Sequence, residues 1–539
     1  MKRTLILQLL VLLVAATATA QGNKNFRDDF DKFKKKARQE YSDFRKQCLA
    51  EYAEFVRTAW KEYGAEPPKP APQIKEVEPM LVPHADAETA SWFSKLFKRK
   101  KKKDKEQPPV AEEAKPSKPK GEQPKPADKP QQTPPPLKDF QLSYDQVIEP
   151  APAVAQPVPL SEVIPQPEKA NDYFSFNVFG TECKVRMGDN CRFKLPSIKE
   201  DDIADVIKYE FMKSQYDNML YDCLQERERH SFSDWAYFQM LMQLCRQFYG
   251  EYSNEGALVM GFLYSQSGYR ARLAQDGSKL YVLVASRHFI YDSSFYYIDG
   301  EWYYLLDGRK SEKLAICAAS FPKESSLSLQ ISAVQKLSAN PTIERTVTSL
   351  MNEEFSFTLT SNKNYIDFYN TYPTSSINEN FMTRWSMYAE TPMEQGIISQ
   401  LYPPMRQRIA GLSKVEAVQE LLWWVQTGLE YGYDDEIWGG DRAFFGEESL
   451  FYPYCDCEDR AILLSHLVRD LVGLDVILVY YPGHLAMAVN FPEELEGDYI
   501  LCEGKRYMVC DPTYIRARIG ETMPMVKDSK VTVIKLKRA

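Results

Sequence analysis

Between residues 26 and 63 aromatic side chains recur with an eleven-residue period: Phe30 and Phe33, Tyr41 and Phe44, Tyr52 and Phe55. Ala37, Cys48 and Ala59 fill the intermediate positions, and Lys, Arg, Glu and Asp fill the other faces. Steps of four, four and three hold one apolar stripe on a nearly straight helix. The pattern predicts an amphipathic, coiled-coil-like helix over 21–64. Its stripe needs a cover, either a second copy of the helix or the rest of the chain. The periodicity then stops. From about 65 to 170 the chain holds 22 of its 34 prolines, among Lys, Glu, Gln and Ala. Such a segment buries too little apolar area to offset its ordering entropy, which predicts a disordered linker.

Regular patterning returns at 171. Helical spacing predicts helices within 192–226 and over 233–250, the second with Ser233 or Asp234 as cap and Gly250 as stop. Alternating and β-branched runs predict strands over 279–292 and 294–308, with a tight turn at Asp299-Gly300. A connecting region over 321–400 carries further strand character at 354–373, and a helix follows within 413–433. The expected class is α+β, with one globular unit over 171–320 and another over 401–539.

Composition narrows the picture. The net charge of -8 argues against nucleic acid as a partner. Lys2 and Arg3, the apolar run Leu5 to Ala16 and Ala18-Thr19-Ala20 match a secretory signal over 1–20, with Gln21 as first mature residue. The expected location is therefore periplasm, outer envelope or medium. Export permits disulfides, and Cys183 and Cys191 flank a plausible hairpin turning at Gly188-Asp189-Asn190. The stretch 91–105 sets Trp92, Phe93, Leu96 and Phe97 beside a basic cluster, suited to an anionic membrane surface, an acidic partner or plain solvation.

The chemistry concentrates near residue 457. Ala461, Leu464, Val468 and Leu471 form one helical face, and Gly473 is a plausible stop, so Cys457 stands at a helix N-terminus. Unpaired amides and the macrodipole there favour a thiolate, the form that attacks a carbonyl. His484 opens a strand after Pro482-Gly483, and Asp511 closes another before Pro512. A histidine and an aspartate so placed are suited to remove the thiol proton and to orient the base. Cys455 is an alternative nucleophile or a redox partner of Cys457. A zinc site from Cys455, Cys457 and His484 lacks the usual C-x-x-C spacing.

Cys457-Glu458-Asp459-Arg460-Ala461, Gly483-His484 and Cys510-Asp511-Pro512-Thr513 together resemble the transglutaminase-like superfamily, a papain-like fold, over roughly 400 to 520. The resemblance implies Cys457 as nucleophile, His484 as general base and acid, Asp511 as orienting group, and no cofactor. An oxyanion donor besides the Cys457 amide is expected from upstream, with Trp424, Trp438 and Tyr454 in reach of the argument. The residues around 253–307 echo those around 457–511, with Ser253 and Lys279 at the places of Cys457 and His484, and Asp307 at that of Asp511. This suggests a degenerate second copy. Two functions are consistent with these features. One is an exported thiol enzyme acting on protein or peptide amides, by hydrolysis in preference to cross-linking. The other is a non-catalytic envelope-associated binding protein.

Overall fold

A computed structural model describes residues 24–82, 136–165, 172–211 and 216–537. The expected signal segment, the basic stretch 91–105 and the middle of the linker lie outside the described residues. The protein is mixed α+β, built around two largely antiparallel sheets. Helix α1 (Lys24–Thr58) runs into strand β1 (Trp60–Gly64), and β2 (Phe140–Leu142) and β3 (Tyr144–Ile148) follow. The first globular unit contains α2 (Asp234–Tyr249), α3 (Asn254–Gln266), β4 (Ala271–Asp276), β5 (Lys279–Ser286), β6 (Phe295–Ile298), β7 (Glu301–Tyr304) and β8 (Lys313–Cys317). The second contains α4 (Lys414–Gly428), α5 (Cys457–Leu467), β9 (Val476–Tyr481), β10 (His484–Asn490), β11 (Asp498–Cys502), β12 (Lys505–Cys510) and β13 (Val531–Lys535).

The two units repeat one topology. The first sheet runs β1-β8-β4-β5-β7-β6 and the second β3-β13-β9-β10-β12-β11-β2. Without β1, β2 and β3 the strand orders are the same. The central hairpins also share their register: Asp276 lies opposite Lys279 as Tyr481 lies opposite His484, and Ala271 opposite Val284 as Val476 opposite Val489. Side chains alternate across these strands as the pleat requires. Leu485, Met487 and Val489 enter the main core with α5, while Ala486 and Ala488 enter a second cluster on the other face. Leu280, Val282 and Val284 do the same in the first unit, with Tyr281, Leu283 and Ala285 opposite. Burial on both faces explains why β5 and β10 read as near-continuous apolar runs.

Several expectations need correction. The helix ends at Thr58 rather than 64, because Trp60–Gly64 pairs antiparallel with β8 and extends the first sheet. Its packed face is Arg45, Leu49, Tyr52, Ala53 and Val56, which shares Tyr52 with the aromatic stripe but is otherwise offset from it. Phe33, Phe44 and Phe55 of that stripe remain 40%, 46% and 45% exposed. Arg45 explains the offset: its guanidinium lies 2.7 Å from Asp217 and over the Tyr216 ring, a pairing no hydropathy period contains.

The linker expected over 65–170 is ordered at both ends. Residues 65–82 run from one sheet to the other, while β2 and β3 pair parallel with β11 and β13 and complete the second sheet's edges. Backbone pairing at sheet edges orders these stretches despite their composition. The hairpin containing Cys183 turns at Phe179-Gly180, both at positive φ, while 189–191 form one 3-10 turn. Cys183 and Cys191 are free thiols. The strand character at 354–373 holds only for Ser356–Leu359, since Lys363–Tyr369 is helical behind an Asn362 cap.

Candidate active site

Helix α5 starts at Cys457 because Asp456 caps it. The Asp456 carboxylate accepts from the Asp459 amide and Asp459 returns a bond to the Asp456 amide, a reciprocal capping box. A π turn and Gly473 in the left-handed region close the helix. The tight turn before β10 needs Gly483 at φ +81°, which places His484 as the first residue of the strand. The next residue reaches the thiol: the Leu485 amide donates to Cys457 Sγ at 3.4 Å.

His484 Nε2 lies 2.9 Å from Asp511 Oδ2, with both side chains fully buried. Asp511 is itself fixed, since its Oδ1 accepts from the amides of Thr513 (2.9 Å) and Tyr514 (3.2 Å). Gln426 of α4 donates to the Asp511 carbonyl at 2.9 Å, and the Tyr481 ring stacks on His484. The other ring nitrogen, His484 Nδ1, is buried without a hydrogen-bond partner. The structure thus brings Cys457, His484 and Asp511 to one end of α5. One ring nitrogen of His484 is thus paired with a carboxylate and the other has no partner, while the Cys457 sulfur contacts Glu458 and the Leu485 amide rather than the ring.

The thiol is not poised as the helix N-terminus alone predicts. Cys457 is 1% exposed and its S–H donates to Glu458 Oε2 at 3.2 Å. Burial, then the Glu458 and Glu76 carboxylates, hold its pKa well above the ordinary thiol value, against the Leu485 amide. Desolvation and two nearby negative charges outweigh the helix dipole, so the resting sulfur is a neutral thiol. Glu458 is in turn held by Arg384, which lies 3.0 Å from Glu458 and 2.8 Å from Asp441.

Cys455 is a free, buried thiol directed at the Glu430 carbonyl. Cys455, Cys457 and His484 do not converge as a metal-binding trio among the described residues. Trp424 spends its indole N–H on the Val347 carbonyl, and Trp438 meets Phe444 and Tyr452 edge to face, with the Arg442 guanidinium over its ring. Tyr454 is held in a short parallel pairing with Glu430. None of the three is placed as an oxyanion donor by these contacts.

A strap lies across the site. Residues 65–82 leave the first unit with backbone bonds to Glu312 and Asp292, then cross to the second. There the Val77 amide donates to the Gly483 carbonyl at 2.9 Å, and Lys75 O sits where a Cβ on Gly483 would stand. Glu76 accepts from Tyr431 Oη at 2.7 Å and from the Asp434 amide at 3.1 Å. Burial pushes the Glu76 carboxyl up to about 7. Farther on, Met80 and Val82 exchange backbone bonds with Ile515, and their side chains cap the second apolar cluster. Sequence reasoning missed the strap because a Pro-rich composition carries no signal of what its backbone pairs with.

The first unit keeps the architecture with different side chains at the matching positions. Ser253 caps α3 through the Gly256 amide, so it matches Asp456 and not Cys457, a correction of one residue. Asn254 takes the Cys457 place: its Oδ1 accepts from the Leu280 amide at 2.9 Å, as Cys457 Sγ accepts from Leu485. Lys279 stands exposed at the position of His484. Asp307 Oδ1 accepts from the Arg309 amide as Asp511 does from Thr513, but its Oδ2 binds the Arg309 guanidinium at 2.7 Å. No protein-family model, curated protein or solved structure matches the chain at a significant level.

Proposed function

We propose that the protein is an exported thiol enzyme of transglutaminase-like, papain-like type, acting on amide groups of proteins or peptides. The observation that carries this reading is the 2.9 Å His484–Asp511 pair set beside a helix-initial cysteine whose sulfur is bonded by the next amide of the same strand. In the reaction Cys457 Sγ attacks the amide carbonyl carbon. His484 Nδ1 takes the thiol proton and returns it to the departing ammonia or amine. The acyl-thioester then yields to water, or to an amine in the cross-linking variant. Asp511 holds the ring and stabilises its charge. The strap supports a peptide substrate, because an extended backbone already pairs with Gly483, next to His484, and with Ile515 farther along. On this reading the resting enzyme is latent and the strap must move for catalysis.

A second reading, a non-catalytic envelope-associated binding protein, is favoured by one observation: the thiol is buried and held neutral. Hydroxylamine trapping separates the two. The full chain, and the full chain carrying Glu76→Ala and Val77→Pro, are incubated with glutamine-containing peptides and hydroxylamine. The enzyme reading expects acyl-hydroxamate product that is faster in the strap variant and absent in Cys457→Ser. Absence of product from both chains across a peptide panel favours the binding protein.

A further inference from the structure

We propose that the N-terminus of helix α5 holds one hard divalent cation of the calcium class, bound by the carboxylates of Asp434, Asp456 and Asp459. Asp434 opens a short helix, Asp434–Ile437, while Asp456 caps α5 and Asp459 sits in its first turn. One carboxylate oxygen from each of the three lies within 4.8 Å of the other two. Carboxylate oxygens gathered this closely can reach one ion together, since calcium–oxygen contacts run about 2.3–2.6 Å. All three residues are buried, Asp434 at 4%, Asp456 at 1% and Asp459 at 0% exposure.

The charge balance points the same way. Arg384 pairs with both Asp441 and Glu458 nearby, but among the described residues no Lys, Arg or His pairs with Asp434, Asp456 or Asp459. Backbone amides of Phe444 and Asp456 engage Asp459, that of Asp459 engages Asp456 Oδ1, and that of Arg442 engages Asp434. Asp456 Oδ2 is left buried without a partner. A buried polar atom without a partner is costly, and three carboxylates this close do not stay ionised without a counter-charge. The donor set is all oxygen, which selects a hard ion. Calcium tolerates irregular cages better than magnesium does.

This proposal does not depend on Cys457 being a nucleophile. The test uses the full chain, stripped with chelator, then titrated with CaCl2 by calorimetry and by thermal unfolding. Wild type is compared with Asp434→Asn and Asp456→Asn; asparagine keeps the capping oxygen of position 456. One site is expected, with an unfolding temperature several degrees higher in Ca2+ and affinity at least ~10-fold weaker in either variant. In chelator both variants should unfold at or above the wild-type temperature, because each removes a like charge. Equal binding by wild type and variants, or no binding of Ca2+, Mg2+ or Mn2+ at millimolar concentration, overturns the proposal. So does binding of Zn2+ alone with protection of Cys457 from alkylation, which would place a softer ion on Asp456, Cys457 and Glu458.

Discussion

At the scale of single residues, the proposed reaction turns on the two ring nitrogens of His484. Nε2 is paired with Asp511, so the proposed proton exchange with the thiol falls to Nδ1, which has no partner. Replacing His484 with Asn should slow amide turnover by about 10²–10⁴-fold, the usual worth of a positioned acid–base group, in the hydroxamate assay. Asp511→Asn keeps a hydrogen-bonding group opposite Nε2 but removes its charge, and should reduce turnover by a smaller factor. The positions of Cys457 at a helix start, His484 at a strand start and Asp511 just past a strand end are legible in the sequence, because each sits in a short motif that fixes its local geometry. Glu458 and Glu76 were not legible as neighbours of the sulfur, since their effect is through-space. A second residue-scale prediction concerns Glu447, which is fully buried and accepts from the Glu394 amide, facing Glu394 and Glu448. Burial pushes its carboxyl up to about 7 from 4.5. A carboxyl whose folded pKa is raised stabilises the fold below its unfolded value, and that stability is lost as pH rises through the folded value. Glu447→Gln should therefore gain stability relative to wild type between about pH 4.5 and 7, on the order of 3 kcal/mol at full ionisation, as read by denaturant unfolding at several pH values. A constant difference across that window would contradict the assignment.

At the scale of elements, α5 and β10 set the site, and their reading from sequence succeeded where local signals agreed. The Asp456–Asp459 capping box and Gly473 bracket α5, and Pro482-Gly483 sets the start of β10. Asp456→Ala should cost about 1 kcal/mol of stability through the lost cap, whereas Asp456→Asn retains it, a difference measurable by chemical denaturation. Met487→Ala in the doubly buried β10 should cost about 2–5 kcal/mol. The repeated unit gives a control. Asn254→Ala removes the acceptor for the Leu280 amide and should destabilise the protein while leaving Cys457 alkylation unchanged. What stayed hidden in the sequence was pairing between distant segments. Trp60–Gly64 and Tyr144–Ile148 are too short and mixed to announce themselves as strands, and their partners lie hundreds of residues away. The aromatic period of α1 was real as a helix signal, yet the packed face follows the buried Arg45–Asp217 pair instead.

At the scale of the whole molecule, two units of one topology are joined by a segment that runs from the sheet of the first to the thiol of the second. The repeat was legible as an echo of apolar and turn positions, and the shared strand order and hairpin register give it a structural basis. The covering strap was not, because Gly483 and Ile515 select it by backbone bonds that any sequence supplies. The central claim is that Cys457 is a nucleophile served by His484 once the strap is displaced. It is tested most directly by limiting iodoacetamide at one near-neutral pH, with mass-spectrometric mapping of all ten cysteines. The full chain is compared with its Glu76→Ala, Val77→Pro form, each with and without His484→Ala. Cys457 should label slowly in the resting chain, fastest of the ten when the strap is weakened, and slowly again when His484 is removed from that form. A Cys457 rate that ignores both the strap and His484 would contradict it.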